Sequence, residues 1–437
     1  MSTDMRKTII SGGALADGTS RDILIEDGVI SAVGENLNSP DAHVLDARGM
    51  IVMAGLVDLH THLREPGRED SETVLSGSQA GVKGGYVALS AMANTSPVAD
   101  TAGVVEQVFR LGQSAGLLDV FPIGAVTQGI EGKVLAEIGA MADSAARVRV
   151  FSDDGNCVSD PLVMRRALEY VKKFGGVIAQ HAQEPALTAG SQMNEGIVSS
   201  ILGLKGWPAV AEEAIIARDV LLAEHVGARL HICHLTTAGG VEIIRWAKAR
   251  GIDVTAEVTP HHLLLTDESA RSYDPIFKVN PPLRTQKDVI ELRQGLADGT
   301  IDIVATDHAP HPVESKECEW QEAAFGMLGL EHALSIVSAT MIETGLMNWG
   351  DLQNRMSTAP ARIGGYAGHG RELAIGSPAH IAVINPKAPS RVDRDQLLSK
   401  SRNTPFHGME FSASVVATFF HGRLVYSSTT RTEGKSA

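Results

Sequence analysis

At 437 residues and 43% hydrophobic content the chain is long enough for one large α/β domain with a smaller appendage, and too apolar for general disorder. A net charge of −14 with no basic stripe excludes nucleic acid as a partner, and no run is long enough to span a bilayer. The opening residues Met1–Lys7 lack a long apolar segment, and Cys157, Cys233 and Cys318 are widely spaced and odd in number, so a soluble cytoplasmic protein in a reducing compartment is expected, with no membrane association.

Residues 8–50 hold short alternating runs such as Asp22-Ile23-Leu24-Ile25 between Gly-Gly, Asp-Gly and Asn-Ser turns, which reads as antiparallel β structure. The apolar run 51–59 follows as one strand and closes on His60 and His62, with Arg64 on the same alternation. From about residue 52 to residue 312, runs rich in small and β-branched residues alternate with longer amphipathic stretches. Eight strands are predicted, ending near His62, Asn94, Thr127, Asp154, His181, His234, His261 and Asp307. Eight βα units predict a (β/α)₈ TIM barrel, whose sites lie at the C-terminal ends of the strands. A doubly wound open sheet is the alternative, but it more often carries a Gly-rich phosphate turn where this chain has His60 and His62. After about residue 365 strand-like runs return at 381–384 and 415–420, before a short polar tail. The organisation expected is therefore a barrel over 53–365, with 1–52 and 366–437 joining as a small β-sandwich built from both termini.

The predicted strand ends collect His60 and His62 from the first, Asp153 or Asp154 from the fourth, His181 from the fifth, His234 from the sixth and Asp307 from the eighth. One zinc ion is usually satisfied by three or four protein ligands, so six convergent groups imply two ions, with the fourth-strand carboxylate suited to bridge them. Two such ions lower the pKa of a water between them and polarise a carbonyl, which points to hydrolysis of an amide-like bond. Each group has a plainer reading: core imidazoles for His181 and His234, and a turn or helix cap for Asp153-Asp154-Gly155. Joint placement at successive strand ends favours the metal site. His231 and His234 cannot share a face of one regular strand, so only His234 is taken as a ligand, and His261, His262 and His308 are read as structural.

The segment Asp58-Leu59-His60-Thr61-His62-Leu63-Arg64-Glu65-Pro66-Gly67 resembles the signature of dihydroorotases within the amidohydrolase superfamily. Further segments agree in order: Phe151-Ser152-Asp153-Asp154-Gly155, Gln180-His181, Cys233-His234, Lys278 to Arg284, Ala305 to His311, and Asn403-Thr404-Pro405-Phe406. Relatives that open hydantoins, dihydropyrimidines or allantoin carry a carboxylated lysine at the fourth strand. The Asp-Asp-Gly here resembles the long bacterial dihydroorotase type, which implies Asp154 as the bridge.

The resemblance implies reversible conversion of L-dihydroorotate and N-carbamoyl-L-aspartate in de novo pyrimidine synthesis, with two zinc ions on His60, His62, Asp154, His181, His234 and Asp307. It assigns Asp307 as acid/base, Arg64, Asn94 and His311 to the substrate carboxylate, and Asn280, Phe325 and Gly326 to the ring, with His62 also facing substrate. A bidentate guanidinium suits that carboxylate. The polar stretch 312–322 is placed to act as a mobile loop over the site. One departure is visible: Ala93-Asn94-Thr95 stands where the family usually has Pro-Asn-Thr. A homodimer, and an association with aspartate transcarbamoylase, are the partners implied. The alternatives are a catalytically silent scaffold for that transcarbamoylase, which would be expected to lose ligands, and a hydantoinase or allantoinase, which would act on uncharged rings.

Overall fold

The computed structural model describes residues 7–428, so the polar tail lies outside it. Its centre is built from eight parallel strands: Leu56–Thr61, Tyr86–Ala91, Asp119–Pro122, Val150–Phe151, Val177–Gln180, Leu230–Ile232, Val254–Val258 and Ile303–Val304. The first three pair in chain order, as do the last five. Bridges Gly124 to Phe151 and Thr61 to His308 join the two runs at both seams, closing the cylinder expected from eight βα units.

Alternation along the strands sorts the core. Val177 and Ala179 belong to a small cluster with Ile123, Val150 and Cys233, while Ile178 between them packs with the layer of surrounding helices. Those helices start where the sequence caps them: Thr73 and Ser76 form a capping box before Val74–Lys83, and Asp160 caps Pro161–Val171.

Strands from both ends of the chain share one eight-stranded sheet. It runs Arg423–Ser427, Ser414–Phe420, Ile381–Asn385, Ile51–Ala54, Lys7–Leu15, Ser20–Glu26 and Val29–Gly34, with His43–Asp46 beside Lys7–Leu15. The Asp27-Gly28 turn, with φ of 49° and 84°, closes the Ser20–Glu26 hairpin as its sequence predicts. This sheet buries its own cluster, including Ile10, Ile23, Val383 and Phe419.

Two sequence readings change. The run 51–59 is two strands: Ile51–Ala54 pairs with Ile381–Asn385 in the terminal sheet, and only from Leu56 does the chain enter the barrel. Gly55 is the break, because Val87 occupies the space a side chain would need there. Strand alternation also ends at Thr61, and Arg64 sits at a φ of +63°, so a turn and not the pleat aims its side chain. No helix among the described residues is long and apolar enough to cross a membrane.

Candidate active site

The C-terminal ends of the first, fourth, fifth, sixth and eighth barrel strands bring His60, His62, Asp154, His181, His234 and Asp307 into one buried cluster. Asp154 lies at its middle. Its Oδ1 is 3.0 Å from both His181 Nδ1 and His234 Nε2, and its Oδ2 is 3.4 Å from both His60 Nε2 and His62 Nε2. Asp307 Oδ1 adds a second carboxylate to the latter pair, 3.1 Å from His62 Nε2 and 3.5 Å from His60 Nε2. His60 Nε2 is buried with no hydrogen-bond partner. A carboxylate facing two imidazoles with each oxygen, beside an unpartnered buried ring nitrogen, is a donor set that fits divalent metal. Burial opposes ionisation of Asp154 and Asp307, yet the imidazoles around them hold both carboxyls below the usual range.

Asp153 faces the other way. It accepts the backbone N–H groups of Val126 (2.8 Å) and Thr127 (2.9 Å) and the Thr127 hydroxyl, so it ties down the loop after the third strand. Burial pushes its carboxyl up to about 6.

Three of the four imidazoles are held from behind. Glu257, buried on the seventh strand, accepts from His60 Nδ1 at 2.6 Å and His231 Nε2 at 3.0 Å, and His231 Nδ1 is 2.8 Å from Thr255 Oγ1. The carboxylate fixes His60 with Nε2 turned into the centre. Asn94 Oδ1 does the same for His62, 2.9 Å from Nδ1, and Gln183 Oε1 accepts from His181 Nε2 at 2.7 Å. Glu257 and Gln183 escaped the sequence reading; the available signal for Glu257 was a charge inside the buried run Val254–Val258. Cys233 also lies near His60 and Glu257, but burial pushes its thiol up, which disfavours the thiolate a metal needs. His261 and His262 are buried on the short helix Pro260–Leu264, and His308 Nε2 donates to Glu72 at 3.3 Å.

Beside this centre lies a second set of groups. Arg64 is buried, donates from Nε to Pro310 O at 3.1 Å, and has Nη2 3.5 Å from His311 Nε2; no carboxylate among the described residues pairs with it. Burial lowers its pKa to about 10, so it stays cationic. Burial, with Arg64 and Lys316 nearby, lowers His311 to about 2 and keeps it neutral, donating to Phe325 O at 2.8 Å. Gly326 has a φ of +141°, and a Cβ there would stand 2.7 Å from His311 Nε2. Asn280 lies beside Gln183 with its Oδ1 buried and unpartnered.

The 312–322 stretch is tied down at two points. Lys316 Nζ donates to Lys278 O (3.0 Å), Ala324 O (2.9 Å) and Gly326 O (3.1 Å), and Lys278 Nζ donates to Trp320 O at 2.7 Å. A cavity of about 380 Å³ separates this stretch from the segment carrying Arg402 and Asn403.

Comparison with known proteins fits this geometry. The family described as "Dihydro-orotase-like" matches residues 49–239. The chain is 64% identical to the dihydroorotase of Streptomyces coelicolor over 419 residues, covering 96% of this chain and 98% of that protein. The chain belongs to the dihydroorotase family. A second member, the dihydroorotase of Leifsonia xyli subsp. xyli, is 64% identical over 414 residues, covering 95% of this chain and 94% of that one. Among solved structures, the L-hydantoinase from Arthrobacter aurescens superposes with a TM-score of 0.85 at 28% identity, covering 97% of this chain and 96% of that one. Dihydropyrimidinase from Brevibacillus agri superposes at 0.84 with 21% identity over 96% and 95% of the two chains, a likeness of fold alone. Set against these folds, this dihydroorotase-family chain has Asp154 at the end of its fourth barrel strand.

Proposed function

We propose that the chain hydrolyses L-dihydroorotate reversibly to N-carbamoyl-L-aspartate in pyrimidine biosynthesis. The observation that carries this is the buried, unpaired Arg64 guanidinium set beside the six-residue cluster around Asp154. A buried cation without a counter-ion is costly unless the ligand supplies one, and the exocyclic carboxylate of dihydroorotate does so.

His60, His62, Asp154, His181, His234 and Asp307 would hold two zinc ions. When bound, these supply Lewis acidity that makes water nucleophilic near neutral pH and polarises the scissile carbonyl. Arg64, with Asn94 and neutral His311 at its flank, holds the substrate carboxylate. Asn280 and the Phe325-Gly326 backbone hold the ring. An Asp307 carboxylate oxygen takes the proton of the attacking water and passes it to the leaving ring nitrogen as the C–N bond breaks. The ring-opened product carries one more carboxylate, so acid favours closure and alkali favours opening.

The decisive experiment is absorbance-monitored hydrolysis of L-dihydroorotate, with zinc per chain determined on the same sample. Turnover with about two zinc ions is expected. Arg64→Met should keep the zinc and raise KM by orders of magnitude. Zinc without turnover, while hydantoin is opened, would transfer the site to the chemistry named for the Arthrobacter enzyme and refute the assignment.

The same reading makes the protein a cytoplasmic homodimer, checked by sedimentation with and without aspartate transcarbamoylase. It also treats the two chain ends as one small β-sandwich beside the barrel, with the boundary moved from 52/53 to Gly55 because Ile51–Ala54 lies in the terminal sheet. The separate buried cluster of the terminal sheet supports this division, and hydrogen exchange should report it as its own cooperative unit.

A further inference from the structure

A chain of hydrogen bonds runs from a backbone carbonyl to both halves of the site. The Thr188 hydroxyl donates to Glu184 O at 2.9 Å, so its oxygen must accept at its other contact, Gln183 Nε2 at 2.8 Å. That fixes the Gln183 amide: its Oε1 faces His181 Nε2 at 2.7 Å and Asn280 Nδ2 at 3.3 Å, and both must donate to it. His181 is thereby protonated on Nε2 and presents the lone pair of Nδ1 to Asp154 and His234. Asn280, its NH₂ engaged, is left with Oδ1 buried and open.

We propose that Gln183 is a positioning residue which, oriented by Thr188, sets Asn280 as an acceptor for an N–H of the cyclic ureide and His181 as a metal ligand. The substrate half of this inference rests on the function proposed above. An amide free to rotate would present NH₂ and carbonyl indifferently; one locked with Oδ1 outward prefers a ring N–H to a ring carbonyl at that point. The same lock makes metal binding and ring recognition share one hydrogen-bond chain.

The test uses the full-length protein with Gln183→Leu, Thr188→Val and the double variant. Two readouts apply: KM and kcat for L-dihydroorotate, and zinc retention by the zinc-loaded chain titrated against a chelator. Each single variant should raise KM by about tenfold and weaken retention of zinc at the His181 side, and the double should be no worse than Gln183→Leu alone, because both cut one chain. KM and zinc retention within twofold of the parent in Gln183→Leu, or strictly additive effects in the double, would overturn the proposal. If Gln183→Leu unfolds, Thr188→Val, which leaves Gln183 in place, decides by the same readouts. A parent protein that binds zinc but leaves dihydroorotate untouched would defeat the function proposed above instead, and zinc retention alone would then decide the role of Gln183.

Discussion

Replacing Glu257 with glutamine removes one negative charge behind His60 while keeping the shape of the side chain. Glu257 Oε1 accepts from His60 Nδ1 at 2.6 Å and from the His234 backbone N–H at 3.1 Å, and Oε2 accepts from His231 Nε2 at 3.0 Å. A glutamine can keep its carbonyl in the Oε1 place. Its NH₂ then meets His231 Nε2, which can become the acceptor by moving its proton to Nδ1, 2.8 Å from Thr255 Oγ1. The network therefore survives with every polar atom paired, and what is lost is charge.

Hydrogen bonds to a charged group are worth about 1.5–3 kcal/mol against about 0.5–1.5 kcal/mol for neutral ones. Loss of a carboxylate behind a ligating histidine typically weakens metal binding about 10- to 100-fold, or about 1.4–2.7 kcal/mol. The two routes agree. Glu257→Gln should weaken zinc binding by one to two orders of magnitude, read by chelator competition, while the melting temperature of the apo chain changes little. Zinc affinity within twofold of the parent would refute the reasoning, as would a collapse of apo stability with affinity intact.

The other predictions separate neighbours in sequence or in role. Asp154→Ala should lose zinc and keep its fold, whereas Asp153→Ala should keep zinc and lose at least about 2 kcal/mol in denaturant unfolding, because it strands the buried N–H groups of Val126 and Thr127. Gly326→Ala places a Cβ 2.9 Å from that of Ala309 as well as against His311, so KM should rise at least about tenfold with zinc content unchanged; parent-like kinetics would show that this backbone yields easily. Burial holds His311, His332 and His380 neutral, with pKa values lowered to about 2, 4 and 3. Their unfolded counterparts take up protons near 6.5, so the unfolded chain binds more protons below that pH and stability falls as pH drops toward 4. Each contributes up to about 1.4 kcal/mol per pH unit, and His332→Gln should flatten the apo stability curve between pH 6 and pH 4.5 by about that slope.

The barrel was legible because its strands are short apolar runs at βα spacing, and the cluster because its members stand where such runs end. Arg64 shows the limit of that logic: the alternation that aims His60 stops at Thr61, and a left-handed residue does the aiming two residues past His62. Gly55 shows another, since only a packing partner remote in sequence, Val87, reveals that one apolar run is two strands in two sheets. Asn94 was read only as a carboxylate contact, and its side-chain oxygen has a further role, orienting His62, that no local pattern carries. Glu257 could be flagged as a costly buried charge, but its partners come from the first and sixth strands, and pairing across a barrel is a property of closure that no local pattern carries.

Closure also explains why the resemblance runs past the barrel to Asn403. Asn403 Nδ2 donates to Ala309 O at 2.9 Å and Gly326 O at 3.3 Å, and its Oδ1 accepts the His311 N–H at 3.1 Å, so one amide spans the loop after the eighth strand. A few residues earlier, the Ser399 hydroxyl and the Lys400 N–H both donate to Glu72, which also accepts from His308. The segment after the barrel therefore grips the loops that follow the first and eighth strands, the loops bearing Arg64 and His311. Cutting the Asn403 amide back to a methyl group would orphan one buried N–H and loosen two carbonyls, about 1–3 kcal/mol for each group left buried and unpaired. Because those groups belong to Ala309, His311 and Gly326, that energy is spent on the geometry around the substrate carboxylate as much as on the fold.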